Sequence, residues 1–533
     1  MPEIVGQNPV AGQVLKRHEQ MKSKRVNWDS HWQEVADFVI PRKDDVFGSR
    51  TQGEKKGQKL YMSTSTRANE MLASALHGML TNPSNIWFGL STGEEELDKD
   101  TDVKKWLQAV TKKMIEVMNF SNFQTEVHEV YLDLGSFGTS ILRVEEDDDL
   151  VVRYEARPIY EAYISEDFRG IVDTVSYEYV KPIREVAQEH GIDNFTDDMK
   201  AILEKDDSHE LTIIHLVKPR EKYNPNLVTP NNKAYGSWHV VKEHGVLLKE
   251  SGFDDMPYVV PRWTKVSGEM YGRSPAMSAL PDIKLSNEMS KSIIRGAQKS
   301  IEPPLLAPDD GIVLPIRSTP GAINYYRAGS RDRVEVMQTG ARPDIGEQLV
   351  ESVIQRIKEC FYIDQLQIPI SDRQTATEVM QRREEQLRTL GPILGRMHFE
   401  FLRPLVNRTY NLMLKKNLFP EAPAAIAGRE LRVQYTSQIA RAQKTTEAEN
   451  FTRVFSIVAP ILQMKPEVLD LYDADAIVRD IHDQFDTPAP YLLAKRQVDK
   501  IRQARQEEAQ EMQEMEEADQ ELDMLGKAQQ IGG

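Results

Sequence analysis

PDIKLSNEMSKSIIRGAQKS, residues 281–300, is the stretch on which the architecture turns. Lys284, Glu288, Lys291, Arg295 and Lys299 recur at helical spacing and draw one charged stripe, while Ile283, Asn287, Ser290, Ile294 and Ala297 make a neighbouring face of small and apolar residues. Ser274-Pro275 supplies a helix start, and Pro281 is expected to restart or kink the helix. Pro303-Pro304 and Pro308 end it, and Ile312–Leu314, Ala322–Tyr326 and Val334–Met337 then alternate as short strands around Pro-Gly turns. A second helix begins at Asp344, where Asp344 and Glu347 have capping-box spacing; its apolar face is Leu349, Val350, Val353, Ile354, Ile357 and Phe361. Two helices with a compact insert at one end make a stalk with a tip, which is a building part rather than a catalytic pocket.

Beyond the stalk, Gln365-Leu366-Gln367-Ile368-Pro369-Ile370-Ser371-Asp372 reads as a short link. Thr375 and Glu378 form another capping box, opening a long helix to about Lys416 that Gly391-Pro392 and Pro404 should kink. Before the stalk lie helices over residues 10–40, Thr64–Leu80, Asp102–Asn119 and Phe123–Leu134. From Gly138 to about Trp263 the period changes to two, with short runs such as Ile171–Tyr179 and Leu211–Val217 and helical interruptions at Glu185–His190 and Thr196–Leu203. After residue 419 come a short strand, Leu431–Tyr435, several short helices and an acidic run from Glu507 to Asp523 expected to be a frayed or solvated helix. The fold class is α+β, mainly α.

Composition narrows the function. Hydrophobic residues are 40% and charged residues 28% of the 533, an ordinary folded composition. No apolar stretch approaches membrane-spanning length, and the N-terminus lacks a secretory pattern, so no membrane partner is expected. The single cysteine, Cys360, sits at an apolar-periodic position and reads as packing; the chain reads as made in a reducing cytoplasm. Net charge is −16, the opposite of a tight DNA-gripping protein, so contact with nucleic acid must be local or weak.

Catalytic patterns are missing. There is no G-x-x-x-x-G-K-[ST] loop, no second histidine completing His18-Glu19 or His128-Glu129 as a zinc helix, and Gly135-Ser136-Phe137-Gly138 is not a nucleophile elbow. Glu145, Glu146, Asp147, Asp148 and Asp149 could hold a cation, but a solvated hairpin tip is the favoured reading. No cofactor, no catalytic residue and no metal site are expected.

Four stretches, in order, carry a resemblance. Asp133-Leu134-Gly135-Ser136-Phe137-Gly138-Thr139, Ser165-Glu166-Asp167 with Gly170 and Val172-Asp173, Tyr271-Gly272-Arg273-Ser274-Pro275 through Leu285-Ser286-Asn287, and Thr375-Ala376-Thr377-Glu378-Val379 with Arg382-Arg383 and Glu384-Glu385 together resemble portal proteins, or head-to-tail connectors, of short-tailed bacteriophages (podoviruses). The resemblance implies a virion protein, made in the host cytoplasm, that forms a homo-oligomeric ring, normally of twelve, at one capsid vertex. It implies a wing over 1–273, a first stem helix over 274–300, a clip over 301–343, a second stem helix over 344–361, a tunnel loop over 362–374, a long wing helix and connection over 375–430, a helical crown over 431–505 and an acidic tail over 506–533.

The implied partners are double-stranded DNA in the channel, the terminase large subunit, the major capsid protein, the scaffolding protein, the tail adaptor or nozzle and internal core proteins. Residues 365–372 would form the tunnel loop; Ile312, Arg317, Tyr325, Tyr326, Arg331 and Arg333 would serve clip docking. The Lys284–Lys299 stripe would either face the channel, tempering repulsion between an acidic wall and DNA, or form intersubunit salt bridges. Two other readings remain: another ring-forming head–tail adaptor, and a metal-dependent nucleic-acid-processing enzyme using Glu145–Asp149.

Overall fold

The computed structural model describes residues 8–43, 46, 53–98, 100–224, 227, 229–306, 343–366, 390–426 and 432–434. Between the stalk helices it also describes 315–317, 322–323, 325 and 335–337, and toward the C-terminus 453–458, 460, 472–484, 491, 493, 497–512 and 515. The chain forms two compact units, one from Met1–Thr81 with Ser121–Arg408, the other from Asn82–Phe120 with Thr409–Gly533.

The first unit opens with α1 (Pro9–Val39), where the Asn8 side chain caps the helix by accepting from the Val10 amide at 3.0 Å and Pro9 takes the first helical position. Pro41, which follows the C-cap Ile40, ends it as expected. The helix α2 (Thr64–Leu80) has the bounds read from its periodicity, and α5 (Phe123–Phe137) runs three residues past them to Gly138.

Five strands follow as an antiparallel meander: β4 (Ala162–Glu166), β5 (Val172–Pro182), β6 (Glu210–Pro219), β7 (Tyr235–Val241) and β8 (Val246–Phe253), paired in that order. Both faces are covered, which is why β6 reads as a near-continuous apolar run. Ala11, Val14 and Met21 of α1 pack on Tyr163, Ile214, Leu216, Trp238 and Val240. On the other face α6 (Ile183–His190) and α7 (Asp197–Lys205) bury Ile183, Val186, Phe195 and Met199 against Leu211, Ile213, Val241 and Leu248. A smaller sheet of β2 (Ile141–Asp147), β3 (Val151–Arg157) and β9 (Tyr258–Val259) lies in the same unit.

Three imidazoles share the α6–α7 face. His215 and His239 stack with ring centroids 4.0 Å apart and planes 10° apart, and the His190 ring lies 4.9 Å from that of His239. His215 shares hydrogen bonds with the hydroxyls of Ser237 (2.8 Å) and Tyr258 (3.0 Å). Both nitrogens of His190 and Nδ1 of His239 are buried without a hydrogen-bond partner among the described residues. Burial lowers all three pKa values below that of a free imidazole, and well below it for His215 and His239.

Two long antiparallel helices, α8 (Pro275–Ile301) and α9 (Pro343–Cys360), complete the unit with α10 (Ile363–Leu366). Pro281 does not restart α8; the helix runs through it, and the exposed ring leaves only one backbone bond, to the Met277 carbonyl, unmade. The second helix starts at Pro343, so Asp344 stands in its first turn and not before it; proline's fixed φ suits the first helical position. Leu349 departs from the expected apolar face and is 54% exposed, whereas Val350, Val353, Ile357 and Phe361 are buried. Cys360 is half-buried, and burial raises its thiol pKa, which fits packing and not nucleophilic chemistry.

Residues 390–397 are helical, lead into a π-helical turn at His398–Leu402, and continue as α11 (Arg403–Lys415). Pro404 cannot donate to the carbonyl of Glu400, and the π-helical turn stands directly before it.

The second unit holds β1 (Gly89–Ser91), α3 (Glu95–Asp98), α4 (Thr101–Phe120), β12 (Arg432–Gln434) and α12 (Ala474–Gln484). β1 and β12 pair antiparallel, and the indole of Trp106 donates to the Pro420 carbonyl at 3.0 Å. Residues 507–512 of the acidic run are helical and exposed. Among the described residues, no helix is long and apolar enough to cross a membrane.

Candidate functional site

The stalk's root is built where the quoted sequence stretches meet. Gly138 has φ +73°, and a Cβ there would stand 2.5 Å from the Gly272 carbonyl; a Cβ on Gly272 would stand 2.2 Å from the Gly138 carbonyl. Two backbones therefore cross with no room for side chains. The Gly272 amide donates to the Thr139 hydroxyl at 2.8 Å. Ser274 then caps α8: its hydroxyl accepts from the Met277 amide at 3.0 Å and donates to the Ser136 carbonyl at 2.7 Å. The Trp32 indole donates to the Phe137 carbonyl at 3.1 Å and meets Tyr271 edge-on with centroids 5.1 Å apart.

Arg262 ties this root to the rest of the unit and is fully buried. Its guanidinium donates to both Glu400 oxygens at 2.9 Å, to Glu166, to the Gly170 carbonyl at 3.0 Å and to the Met270 carbonyl at 3.1 Å. Burial alone would lower its pKa; the bonds to Glu400 and Glu166 outweigh that and raise it. The sequence offered no sign of Arg262, because both of its carboxylate partners, Glu166 and Glu400, lie about a hundred residues or more away.

The first half of α8 is held down. Ile283, Ser286 and Asn287 are buried, and the Asn287 side chain accepts from the Tyr61 amide at 2.7 Å while donating to the Lys59 carbonyl at 2.9 Å. Arg356 of α9 bridges to Asp282 at 2.7 Å, and Gly346 lets Ile293 approach within 2.9 Å of where its Cβ would lie. Val353, Ile357 and Phe361 fill the seam between the helices and neighbouring elements, each worth roughly 1.5–3 kcal/mol over exposure.

The charged stripe divides. Lys284 pairs with Glu34 of α1 at 2.7 Å, a partner neither sequence reading contained, and Lys291 pairs with Glu288 at 3.1 Å. Arg295 and Lys299 are exposed and have no partner among the described residues. The Lys284–Glu34 pair is exposed at both ends, so Lys284→Ala is expected to cost under about 1 kcal/mol in urea denaturation. A larger loss would make the pair a structural strut.

Past Asn287 the helix is less covered. Ile294 is 44% and Ile301 79% exposed; at the far end β10 (Leu305–Leu306) pairs with β11 (Glu335–Val336), closing the base of the insert. Of the proposed docking residues, Tyr325 is 71% exposed and Arg317 is exposed; Ile312, Tyr326, Arg331 and Arg333 lie outside the described residues. Gln365 and Leu366 fall in the helical turn α10 and not in a loop, while Gln367, Ile368, Pro369, Ile370, Ser371 and Asp372 lie outside, as does the Thr375 capping box.

The acidic hairpin tip has no metal geometry. Asp147 accepts from the amides of Asp149 (2.9 Å) and Leu150 (2.8 Å), turning the chain, and Glu145 pairs with Arg143. Among the described residues, no group of three or more His, Cys, Asp or Glu could hold a metal ion.

The family of bacteriophage head to tail connecting proteins is matched over residues 11–493. The chain belongs to that family. As a portal-type connector it is a virion component at the head–tail junction, joining capsid to tail. It is 33% identical over 507 residues to the probable portal protein of Bordetella phage BPP-1, covering 92% of this chain and 90% of that one. It is 29% identical over 500 residues to the portal protein of Salmonella phage epsilon15, again 92% of this chain and 90% of the other. The connector's crossing glycines, Gly138 and Gly272, fall in two of the stretches that carried the resemblance.

Proposed function

We propose that this connector assembles into a ring, with twelve copies as the expected number, whose central hole is the conduit for genome packaging and ejection. The observation that carries the reading is the half-covered stalk. Ile294, Ile301 and Leu349 are 44–79% exposed on two helices that one chain leaves unpartnered at their distal half. Neighbouring copies cover such faces in a closed heterologous ring. The assignment of residues 1–273 to the wing, 274–300 and 344–361 to the stem, 301–343 to the clip, 375–430 to the long wing helix and connection, and 431–505 to the crown follows the same reading. So do the clip's docking of the terminase large subunit and then the tail adaptor, and contacts with capsid, scaffolding and core proteins. The proposed role is passive: at the hairpin tip Asp147 is engaged in the turn and Glu145 in an ion pair.

Electron microscopy of the purified chain should show rings with a central hole; a monodisperse monomer at micromolar concentration, in every salt tried, would overturn the assignment. Deleting Gln365–Ser371 should leave rings intact and reduce packaged DNA, because the tunnel loop is proposed to contact the duplex. Normal packaging by that deletion would remove the loop's role.

A further inference from the structure

Strand directions give the five-stranded sheet two unlike ends. β5 and β7 begin, and β6 and β8 finish, at one end; the register Pro182↔Glu210 and Val241↔Val246 marks the other. With 11 residues in β5, the two ends lie about 35 Å apart.

At the first end is a cleft of about 820 Å³, lined by Arg169, Ile171, Tyr235, Lys265, Phe399 and Arg403 among others. Five cations line it, Arg169, Arg262, Lys265, Arg396 and Arg403, against one carboxylate, Glu400. Asp167, Glu166 and Glu400 pair with four of these, Arg169, Arg262, Lys265 and Arg396, which leaves a cationic excess. Arg403 is exposed and has no partner among the described residues. The rim is apolar and bare: Phe168 is 96%, Phe399 50% and Val266 50% exposed. Arginine and aromatic side chains around a cleft are the composition of a protein-binding surface.

At the second end sits the α6–α7 lobe. Residues 183–210 carry nine Asp and Glu against three Lys and Arg. Glu185, Asp193, Asp197, Asp198 and Glu204 are all exposed, beside an Ile192 that is 50% exposed. One subunit thus presents a cationic, apolar-rimmed cleft and an acidic knob on opposite ends of the same rigid sheet.

We propose that these two ends are the two halves of one head-to-tail contact: the acidic α6–α7 lobe of each copy docks at the cationic cleft of the next. A ring requires two different surfaces that complement each other on every subunit, and this sheet carries such a pair. Charge complementarity selects the neighbour and fixes its register. The proposal rests on the ring reading above but names an interface that the ring reading does not.

The test is a charge swap read by electron microscopy and sedimentation in about 0.1 M salt, where exposed charges still act over about 10 Å. Asp193→Lys with Glu204→Lys reverses the lobe without touching the first turn of α7, and lysine suits its last turn. Arg169→Glu with Arg403→Glu reverses the cleft. Each pair alone should raise the concentration needed for ring formation on the order of tenfold or more, and the fourfold swap should recover most of it. Recovery separates lost contact from lost folding. Rings from both reversed variants at the unmodified chain's concentration would remove this interface and leave the ring standing; no recovery by a folded fourfold swap would remove it too. An unmodified chain that forms no ring overturns both.

Discussion

Replacing Arg262 with Met lowers the stability of the first unit by about 3 kcal/mol, since removing one partner of a buried ion pair costs ~3–5 kcal/mol. The lower figure applies because the stranded carboxylates keep other cations: Glu166 has Lys265 at 2.5 Å and Glu400 has Arg396 at 2.7 Å. The Gly170 and Met270 carbonyls lose a donor as well. Lysine at 262 is expected to recover only part of the loss, because an ammonium cannot grip both Glu400 oxygens as a planar fork does. The readout is urea denaturation with hydrogen exchange at residues 262–274, since two compact units need not unfold together. A loss below about 1 kcal/mol would mean that the four tethers do not hold the stalk's root.

The second large effect is acid lability of the five-stranded sheet. An imidazole in the unfolded chain takes up a proton near pH 6.5, whereas the buried His215 and His239 do so at much lower pH. Below pH 6.5 the unfolded chain therefore binds more protons, and stability falls as pH falls; it is fully present only above that value. Between pH 7 and 5 each such imidazole costs up to about 2 kcal/mol. The groups facing the stack are Arg143, Arg157, Lys181 and Lys249, which oppose protonation, with Glu189 favouring it at His190. His190→Leu with His239→Phe should therefore keep or raise stability at pH 7.5, because those rings' unsatisfied nitrogens are removed, and should flatten the acid slope measured by thermal unfolding. An unchanged slope would place the acid sensitivity elsewhere.

What the sequence made legible was whatever repeats locally. Short β-branched runs bounded by turn residues located β5 and β6, and helical spacing located α2. Contacts over long separations left no local trace. Gly89–Ser91 is three residues long, and its partner begins at Arg432. Lys284 finds Glu34 across 250 residues. Arg262 looked like any arginine because its ligands lie at Glu166, Gly170, Met270 and Glu400. Pro281 and Pro404 were expected to break or bend their helices; α8 runs on through Pro281, and a π-helical turn stands directly before Pro404.

The pinning of α8 has a mechanical consequence. Pro275 to Asn287, about 20 Å of helix, is clamped by the Ser274 cap and the Asn287 grip on residues 59–61; the remaining 14 residues, about 21 Å, project beyond. That is a cantilever with roughly equal built-in and free lengths. A sideways load at its tip becomes a torque at the Gly138–Gly272 crossing, where two backbones bear on each other without intervening side chains to deform. In the single chain the bending resistance therefore sits at the clamped root, and compliance falls to the half of the beam beyond Asn287.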